Sequence, residues 1–262
     1  IEENAFGTAR QLLDDCPDRL RHWEWGRLRH MCDLSVMDFD ANAPIESIAF
    51  AHGGKRFVSG GWNGRATIWN AESGAALRTM QHGELSFVHA VAFSPDGKWV
   101  ATGSNDRGGG FLRIWNAETG ELAVNLEGHT DAVASLAFSG DGQRLLSGSF
   151  DHTAKMWDVQ TGQLIRTFHG HRSWVWEAAF CYRWDEAGRP LPEEQIVTAS
   201  LDGFAVVWQL NVQECQPGEQ SPPFRGHQGP VYAAAFSPDG QSVVSGGYDK
   251  RVLIWKPVEL EQ

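Results

Sequence analysis

Residues 128–158 read GHTDAVASLAFSGDGQRLLSGSFDHTAKMWD. The run ending in Ala137-Phe138 reads as a strand, and Asp141-Gly142 is a hairpin turn signal. A second strand carries Ser147, a turn follows at Asp151, and a third strand ends in Trp157-Asp158. Thr161-Gly162 then turns the chain into an outer strand. This is one four-stranded antiparallel unit in about forty residues, a period typical of repeat architectures.

The unit recurs. Its Ala-Phe dipeptide stands at Ala49-Phe50, Ala92-Phe93, Ala137-Phe138, Ala179-Phe180 and Ala235-Phe236. A tryptophan follows each at a matching place: Trp69, Trp115, Trp157, Trp208 and Trp255. The phrase Phe93-Ser-Pro-Asp-Gly97 returns as Phe236-Ser-Pro-Asp-Gly240, and Ser73-Gly74 and Thr119-Gly120 repeat the last turn. Five of the 12 tryptophans are thereby placed, and many of the 29 glycines fall in turns.

The chain has 262 residues, 42% apolar and 21% charged. That composition excludes a disordered tail, a collagen and a coiled coil. No run of about 18 apolar residues occurs, so no membrane-spanning helix is expected. The formal charge of −11 disfavours general nucleic-acid binding. Cys16, Cys32, Cys181 and Cys215 are scattered, which fits reduced thiols better than a zinc cage or a disulfide framework. The chain starts at Ile1 without a signal-peptide pattern, and it is expected to be a piece of a longer protein.

These repeats resemble the WD-repeat (WD40) family. The Gly-His pairs Gly128-His129, Gly170-His171 and Gly226-His227 stand where that family has them, and Trp157-Asp158 keeps the terminal Trp-Asp. Asn70, Asn116, Gln209 and Lys256 replace that Asp elsewhere. The resemblance implies an all-β propeller of four-stranded antiparallel blades, five of them visible, near 45–82, 87–127, 132–169, 174–226 and 230–256. Together they form a domain over 32–262. The segment 32–40 reads as an outer strand that could close the fifth blade as a clasp. Closure at five, a truncated seven-bladed ring and a tandem propeller all stay open.

The resemblance also implies a buried hydrogen-bonded set in each blade. In the third it is His129, Ser147, Asp151 and Trp157; in the fourth, His171, Thr198, Asp202 and Trp208. In the fifth it is His227, Ser245, Asp249 and Trp255. The second has Thr102, Asp106 and Trp115, with His82 as the shifted partner. The first keeps Ser59 and Trp69, has Asn63 for Asp, and lacks the His. Ser, His and Asp together suggest a hydrolase, yet their recurrence in blade after blade is structural rather than catalytic. No catalytic residue, metal ligand or cofactor is assigned. Gly108-Gly109-Gly110 lacks a phosphate-binding order, and Cys181 to Glu194 reads as a lengthened hairpin loop.

Within a lead-in over 1–31, residues 4–14 and 18–31 carry helical spacing, with Pro17 suited to a first turn and Leu20, Trp23, Leu28 and Met31 on one face. This short N-terminal helical lead-in is similar to the segment that precedes propellers in planctomycete-type bacterial Ser/Thr kinase and WD-repeat fusion proteins. The chain itself has no kinase motif. The similarity implies a scaffolding or sensing module, expected in the cytoplasm. The alternative is an extracytoplasmic module tethered through an N-terminal membrane anchor.

By resemblance, a partner meets the top face through two kinds of position. Early first-strand residues are Glu46, His89, Ala134, Trp176 and Tyr232, with Phe87 and Trp174 two places before His89 and Trp176. Residues just before the turn Asp are Trp62, Asn105, Phe150, Leu201 and Tyr248. The aromatic content points to a protein or peptide partner, and Glu46 with the net charge to a basic one. No membrane contact is expected within the chain, and the oligomeric state is not readable. Two rivals remain: an oligomerisation module, which a large apolar rim patch would favour, and an enzyme, which would need carboxylates or His ligands facing the channel.

Overall fold

A computed structural model describes residues 41–83, 86–106, 109–182, 195–210 and 223–257. The helical lead-in over 1–31, the clasp strand over 32–40 and most of the 181–194 loop lie outside these residues. The described chain is all strand and turn. Its first sheet is β1 (Ile45–Phe50), β2 (Arg56–Gly61), β3 (Arg65–Asn70) and β4 (Ala76–Gln81). The second is β5 (Phe87–Phe93), β6 (Trp99–Asp106), β7 (Gly109–Asn116) and β8 (Leu122–His129). The third is β9 (Val133–Phe138), β10 (Arg144–Ser149), β11 (Ala154–Asp158) and β12 (Leu164–Phe168).

The fourth sheet has β13 (Val175–Phe180), β14 (Gln195–Ser200) and β15 (Ala205–Gln209), and the fifth has β16 (Val231–Phe236), β17 (Val243–Gly247) and β18 (Val252–Trp255). Both are three-stranded among the described residues, where the sequence leads one to expect four. A bridge from Phe224 to Ala205 starts a further line of pairing beside β15. Every sheet is an antiparallel meander in chain order.

The turns explain the sequence phrases. Ser94 Oγ donates to Asp96 Oδ1 at 2.7 Å, the Lys98 N–H donates to the same oxygen at 3.0 Å, and Gly97 takes a φ of 69°. Ser139-Asp141 and Ser237-Asp239 repeat the device. At the last turn, Asn70 Oδ1 accepts from the N–H groups of Glu72 and Ser73, and Asn116 Oδ1 does so from Glu118 and Thr119. Asp158 Oδ1 accepts from the Thr161 N–H and hydroxyl. Asn therefore replaces the Asp of Trp-Asp without loss, because the turn needs only a side-chain oxygen.

Successive sheets pack face to face through a knob and a hole. Val88, Val133, Val175 and Val231, near the start of each later sheet's first strand, are fully buried. Each faces a small residue on the second strand of the sheet before. A Cβ on Gly60 would lie 2.6 Å from Val88 Cγ1, one on Gly103 2.7 Å from Val133 Cγ1, and one on Gly148 3.1 Å from Val175 Cγ1. Ala199 fills that role against Val231. Around each knob the aliphatic residues of both sheets close a core, as Val58, Ala66 and Ile68 do against Val88 and Val91. Full burial of such a side chain is worth about 1.5–3 kcal/mol.

Among the described residues, the outer faces of the first and fifth sheets carry exposed apolar side chains. Ile254 is 76% exposed although its counterpart Ile68 is 0% exposed. Val252 and Val244 beside it are also exposed, and a Cβ on Gly246 would meet nothing within 4 Å. On the first sheet Ile48 and Phe50 are exposed, whereas Val91, Phe138 and Phe180 at equivalent places are buried. Ile45, the counterpart of Val88, is 41% exposed.

Candidate functional site

Behind the candidate face, polar struts pin each sheet. In the third, Trp157 Nε1 donates to Ser147 Oγ at 2.8 Å, Ser147 Oγ meets His129 Nε2 at 2.7 Å, and His129 Nδ1 meets Asp151 Oδ2 at 2.7 Å. The fourth runs Trp208, Thr198, His171, Asp202 at 2.8, 2.7 and 2.9 Å. The fifth runs Trp255, Ser245, His227, Asp249 at 2.7, 2.8 and 3.0 Å. An ionised carboxylate only accepts, so the proton sits on Nδ1 and Nε2 accepts a hydrogen bond from the hydroxyl. That order leaves the hydroxyl oxygen to accept from tryptophan, and every member is satisfied. The serine has no exposed hydroxyl to offer a substrate: Ser147 is fully buried.

The second sheet differs. Trp115 Nε1 donates to Thr102 Oγ1 at 2.7 Å, and Thr102 meets His82 Nε2. His82 Nδ1 meets Ser104 Oγ at 2.8 Å. Strand pairing here continues to Asp106 and Gly109, so the position that holds the turn carboxylate elsewhere is still in the ladder. The side chain of Asp106 lies outside the described residues. Burial, helped by the Arg113 charge, lowers the His82 pKa to about 3. In the first sheet Trp69 Nε1 donates to Ser59 Oγ at 2.8 Å, and Asn63 Oδ1 accepts from the Arg65 N–H at 3.2 Å.

The strand-start face is shaped by a bulge in every first strand. Ile45 pairs with Gly61 and Ser47 with Gly60, which leaves Glu46 without a cross-strand partner. The same step leaves out His89, Ala134, Trp176 and Tyr232. A bulged residue is turned out of the pleat, which re-aims its side chain. The five early first-strand residues are therefore the five bulged ones. The neighbouring loops are clamped in a common way: the N–H groups of Trp62, Phe150, Leu201 and Tyr248 donate to Pro44, Ala132, Trp174 and Pro230 oxygens at 2.8–3.0 Å. In the second sheet Asn105 Oδ1 accepts from the Phe87 N–H at 3.1 Å instead.

These elements bring together a line of rings. Trp62 lies 5.7 Å from Phe87, Phe87 6.2 Å from His89, and His89 6.2 Å from Phe150. Phe150 stacks on Trp174 at 4.1 Å and on Trp176 at 5.4 Å, and Trp176 meets Tyr232 edge-on at 5.9 Å. The line crosses all five sheets, and Trp62, Phe87, Trp174, Trp176 and Tyr232 are exposed. Tyr248 is 70% exposed and makes none of these ring contacts, while Leu201 contributes a backbone clamp and Asn105 a side-chain one rather than ring surface.

Below the rings lies a pocket of about 470 Å³, lined by Glu46, His89, Ala134, Phe150, Trp176, Glu177 and Tyr232 among others. Glu46 Oε2 accepts from Trp62 Nε1 at 2.8 Å, and Glu46 Oε1 lies 2.9 Å from His89 Nδ1. The second contact is close enough for an ion pair with a protonated ring but is not aligned as a hydrogen bond. Glu177 was not selected by reading the sequence, because it sits one place beyond the bulged Trp176. Its carboxyl has no hydrogen-bond or ion-pair partner among the described residues, and burial raises its pKa to about 7. Among the described residues no group of three His, Cys, Asp or Glu could hold a metal.

Comparison with known proteins follows the same repeats. The family described as WD domain, G-beta repeat matches at residues 34–70, 74–116, 120–158, 162–209 and 218–256. Periodic tryptophan protein 2 of Arabidopsis thaliana is 28% identical over 195 residues, 73% of this chain and 20% of that protein. Nuclear distribution protein PAC1 of Arthroderma otae is 33% identical over 171 residues, 64% of this chain and 35% of that one. The chain thus spans about a fifth and about a third of these two relatives. Target of rapamycin complex subunit wat1 of Schizosaccharomyces pombe is 28% identical over 243 residues, 78% of this chain and 74% of that protein.

Proposed function

The chain belongs to the WD domain, G-beta repeat family, and on that premise we propose that it is a non-catalytic scaffold that binds a protein or peptide across the strand-start face. The observation that carries this reading is the unbroken line of rings from Trp62 to Tyr232, set over a pocket with two carboxylates. Exposed aromatic side chains held rigid by stacking bury large area at small entropic cost, which suits an anchor site. The occupant of the pocket is a basic side chain. Glu177 offers an unpartnered carboxylate, and Phe150, Trp176 and Tyr232 offer ring faces to a guanidinium or ammonium group. The relatives' names support the scaffold reading, since one is a subunit of a complex. The five sheets act as blades of a propeller. The similarity of the lead-in suggests that this module serves a larger bacterial signalling protein beside a kinase, in the cytoplasm.

The test is binding of a peptide array that varies Arg, Lys and acetyl-Lys, read at pH 8. Wild type should prefer basic peptides, and Trp176→Ala and Trp62→Ala should weaken capture. Equal capture by all three proteins would remove the site.

A further inference from the structure

Arginines cross from the first sheet to the turns of the second. Arg56 Nη2 donates to Gly97 O at 3.0 Å with its guanidinium 5.9 Å from the Phe93 ring centre, and Arg78 Nε donates to Glu118 O at 2.7 Å. The third and fourth sheets are joined in the same way. Arg144 lies 5.7 Å from the Phe180 ring centre, and Arg166 Nη1 donates to Gln209 O at 2.9 Å. Strand register makes these positions equivalent. Arg56 and Arg144 stand opposite Asn70 and Asp158, and Arg78 and Arg166 stand opposite Ile68 and Met156.

Between the second and third sheets the same positions hold Trp99, opposite Asn116, and Val124, opposite Ile114. The glycines beneath confirm the match: a Cβ on Gly120 would meet Arg78, and one on Gly162 would meet Val124. With both arginines replaced, a pocket of about 510 Å³ is left, lined by Trp99, Val124, Gly142, Gln143, Asp158 and Gln160 among others. Gly142 and Gln160 stand where Gly97 and Glu118 accept from arginine. Among the described residues no hydrogen bond reaches the Gly142 or Gln160 carbonyl. We propose that this pocket binds the arginine side chain of a partner protein, whose guanidinium takes the place of the arginine that the second sheet lacks.

The chemistry selects that occupant. Two carbonyls at a crevice need donors, and a planar guanidinium offers five while stacking on an indole such as Trp99. An aliphatic or anionic group would leave both carbonyls unpaired. Hydrogen bonds from Thr161 hold the Asp158 carboxyl below its ordinary value, so it is charged at neutral pH and favours a cation. Both walls belong to sheets in the middle of the series. The pocket lies by the turns that follow the first and third strands, at the end opposite the line of rings, so it is a second site and does not rest on the first.

The experiment follows the Trp99 indole N–H signal by NMR, assigned with Trp99→Phe, as the chain is titrated with acetylated, amidated Ala-Arg-Ala and its lysine and citrulline counterparts. The arginine peptide should shift the signal saturably, the lysine peptide weakly and the neutral citrulline peptide not at all. Val124→Arg builds the missing arginine into the chain, so it should abolish the shift and raise the melting temperature. Trp176→Ala should leave the shift intact, which separates this pocket from the strand-start face. A Trp99 signal that the arginine peptide leaves unmoved, or that citrulline moves as far, overturns the proposal. So does a shift that a folded Val124→Arg retains or that Trp176→Ala abolishes. If Val124→Arg fails to fold, the three peptides on wild type still decide.

Discussion

His129 Nδ1 and Asp151 Oδ2 lie 2.7 Å apart with their side chains 1% and 7% exposed. Burial pushes the Asp151 carboxyl up, but hydrogen bonds from His129, Thr153 and the Thr130 N–H more than reverse this and hold it far below the carboxylate range. Burial lowers the His129 pKa, and Asp151 only partly restores it. The pair is thus a neutral imidazole donating to a carboxylate. Asp151→Ala removes the acceptor and strands a buried N–H. We expect it to destabilise the fold by roughly 2–4 kcal/mol, measured by urea unfolding. An unchanged midpoint would mean that the strut carries no load.

The same shifts fix a pH dependence. Asp151 and Asp202 have folded pKa values below their unfolded ones, so their contribution is present above the unfolded value and lost as pH falls through the folded one. A histidine whose folded pKa is depressed takes up its proton first in the unfolded chain, below about pH 6.5. Both effects have one sign: stability falls as pH drops from about 6.5 towards acid. Asp151→Ala should flatten the acid limb of a stability–pH curve, and a variant curve parallel to wild type would refute the assignment.

Ile68 and Ile254 occupy equivalent strand positions, but among the described residues only Ile68 packs against a neighbouring sheet. Ile68→Ala should cost roughly 2–5 kcal/mol as a core truncation, and Ile254→Ala within about 0.5 kcal/mol as a surface change. The glycines give a matched pair: Gly103→Ala drives a Cβ into Val133, whereas Gly246→Ala meets open space. Chemical denaturation of the four variants at a concentration where the chain is monomeric decides the matter. Equal losses at Ile68 and Ile254 would show that the fifth sheet is covered.

Much of this fold is legible in the sequence because each repeat states it again. Ala-Phe marks the end of a first strand, Asp-Gly marks a hairpin, and the final Trp closes on a Ser or Thr ten or more residues earlier. The strut in the second sheet was less legible, since strand pairing runs on to Asp106 and Gly109 and Ser104 meets the histidine. The exposure of Ile48, Phe50 and Ile254 was not legible at all. Ile48 and Val91 look alike in a strand, and only the neighbouring sheet distinguishes them. Glu177 was missed for a related reason. Strict alternation assigns one face per residue, whereas a bulge lets Trp176 and Glu177 both border the pocket.

Glu177 makes the sharpest prediction, because its sign is opposite to that of the struts. Its folded pKa, about 7, lies above the unfolded value, so the folded chain holds the proton more tightly. That contribution is complete below the unfolded pKa and is lost as pH rises through about 7. Above that pH the pocket carries an unpaired carboxylate. Glu177→Gln keeps the shape and removes the charge, so its melting temperature should match wild type near pH 5 and exceed it at pH 8. Binding of a basic peptide should change the other way. Affinity for wild type should rise as pH passes from 6 to 8, since the carboxylate forms, and the Gln variant should bind weakly with no such rise. If Glu177→Gln gains no stability at pH 8, the carboxyl is already solvated or paired. If it gains stability but keeps the affinity profile, the group titrates but does not touch the ligand.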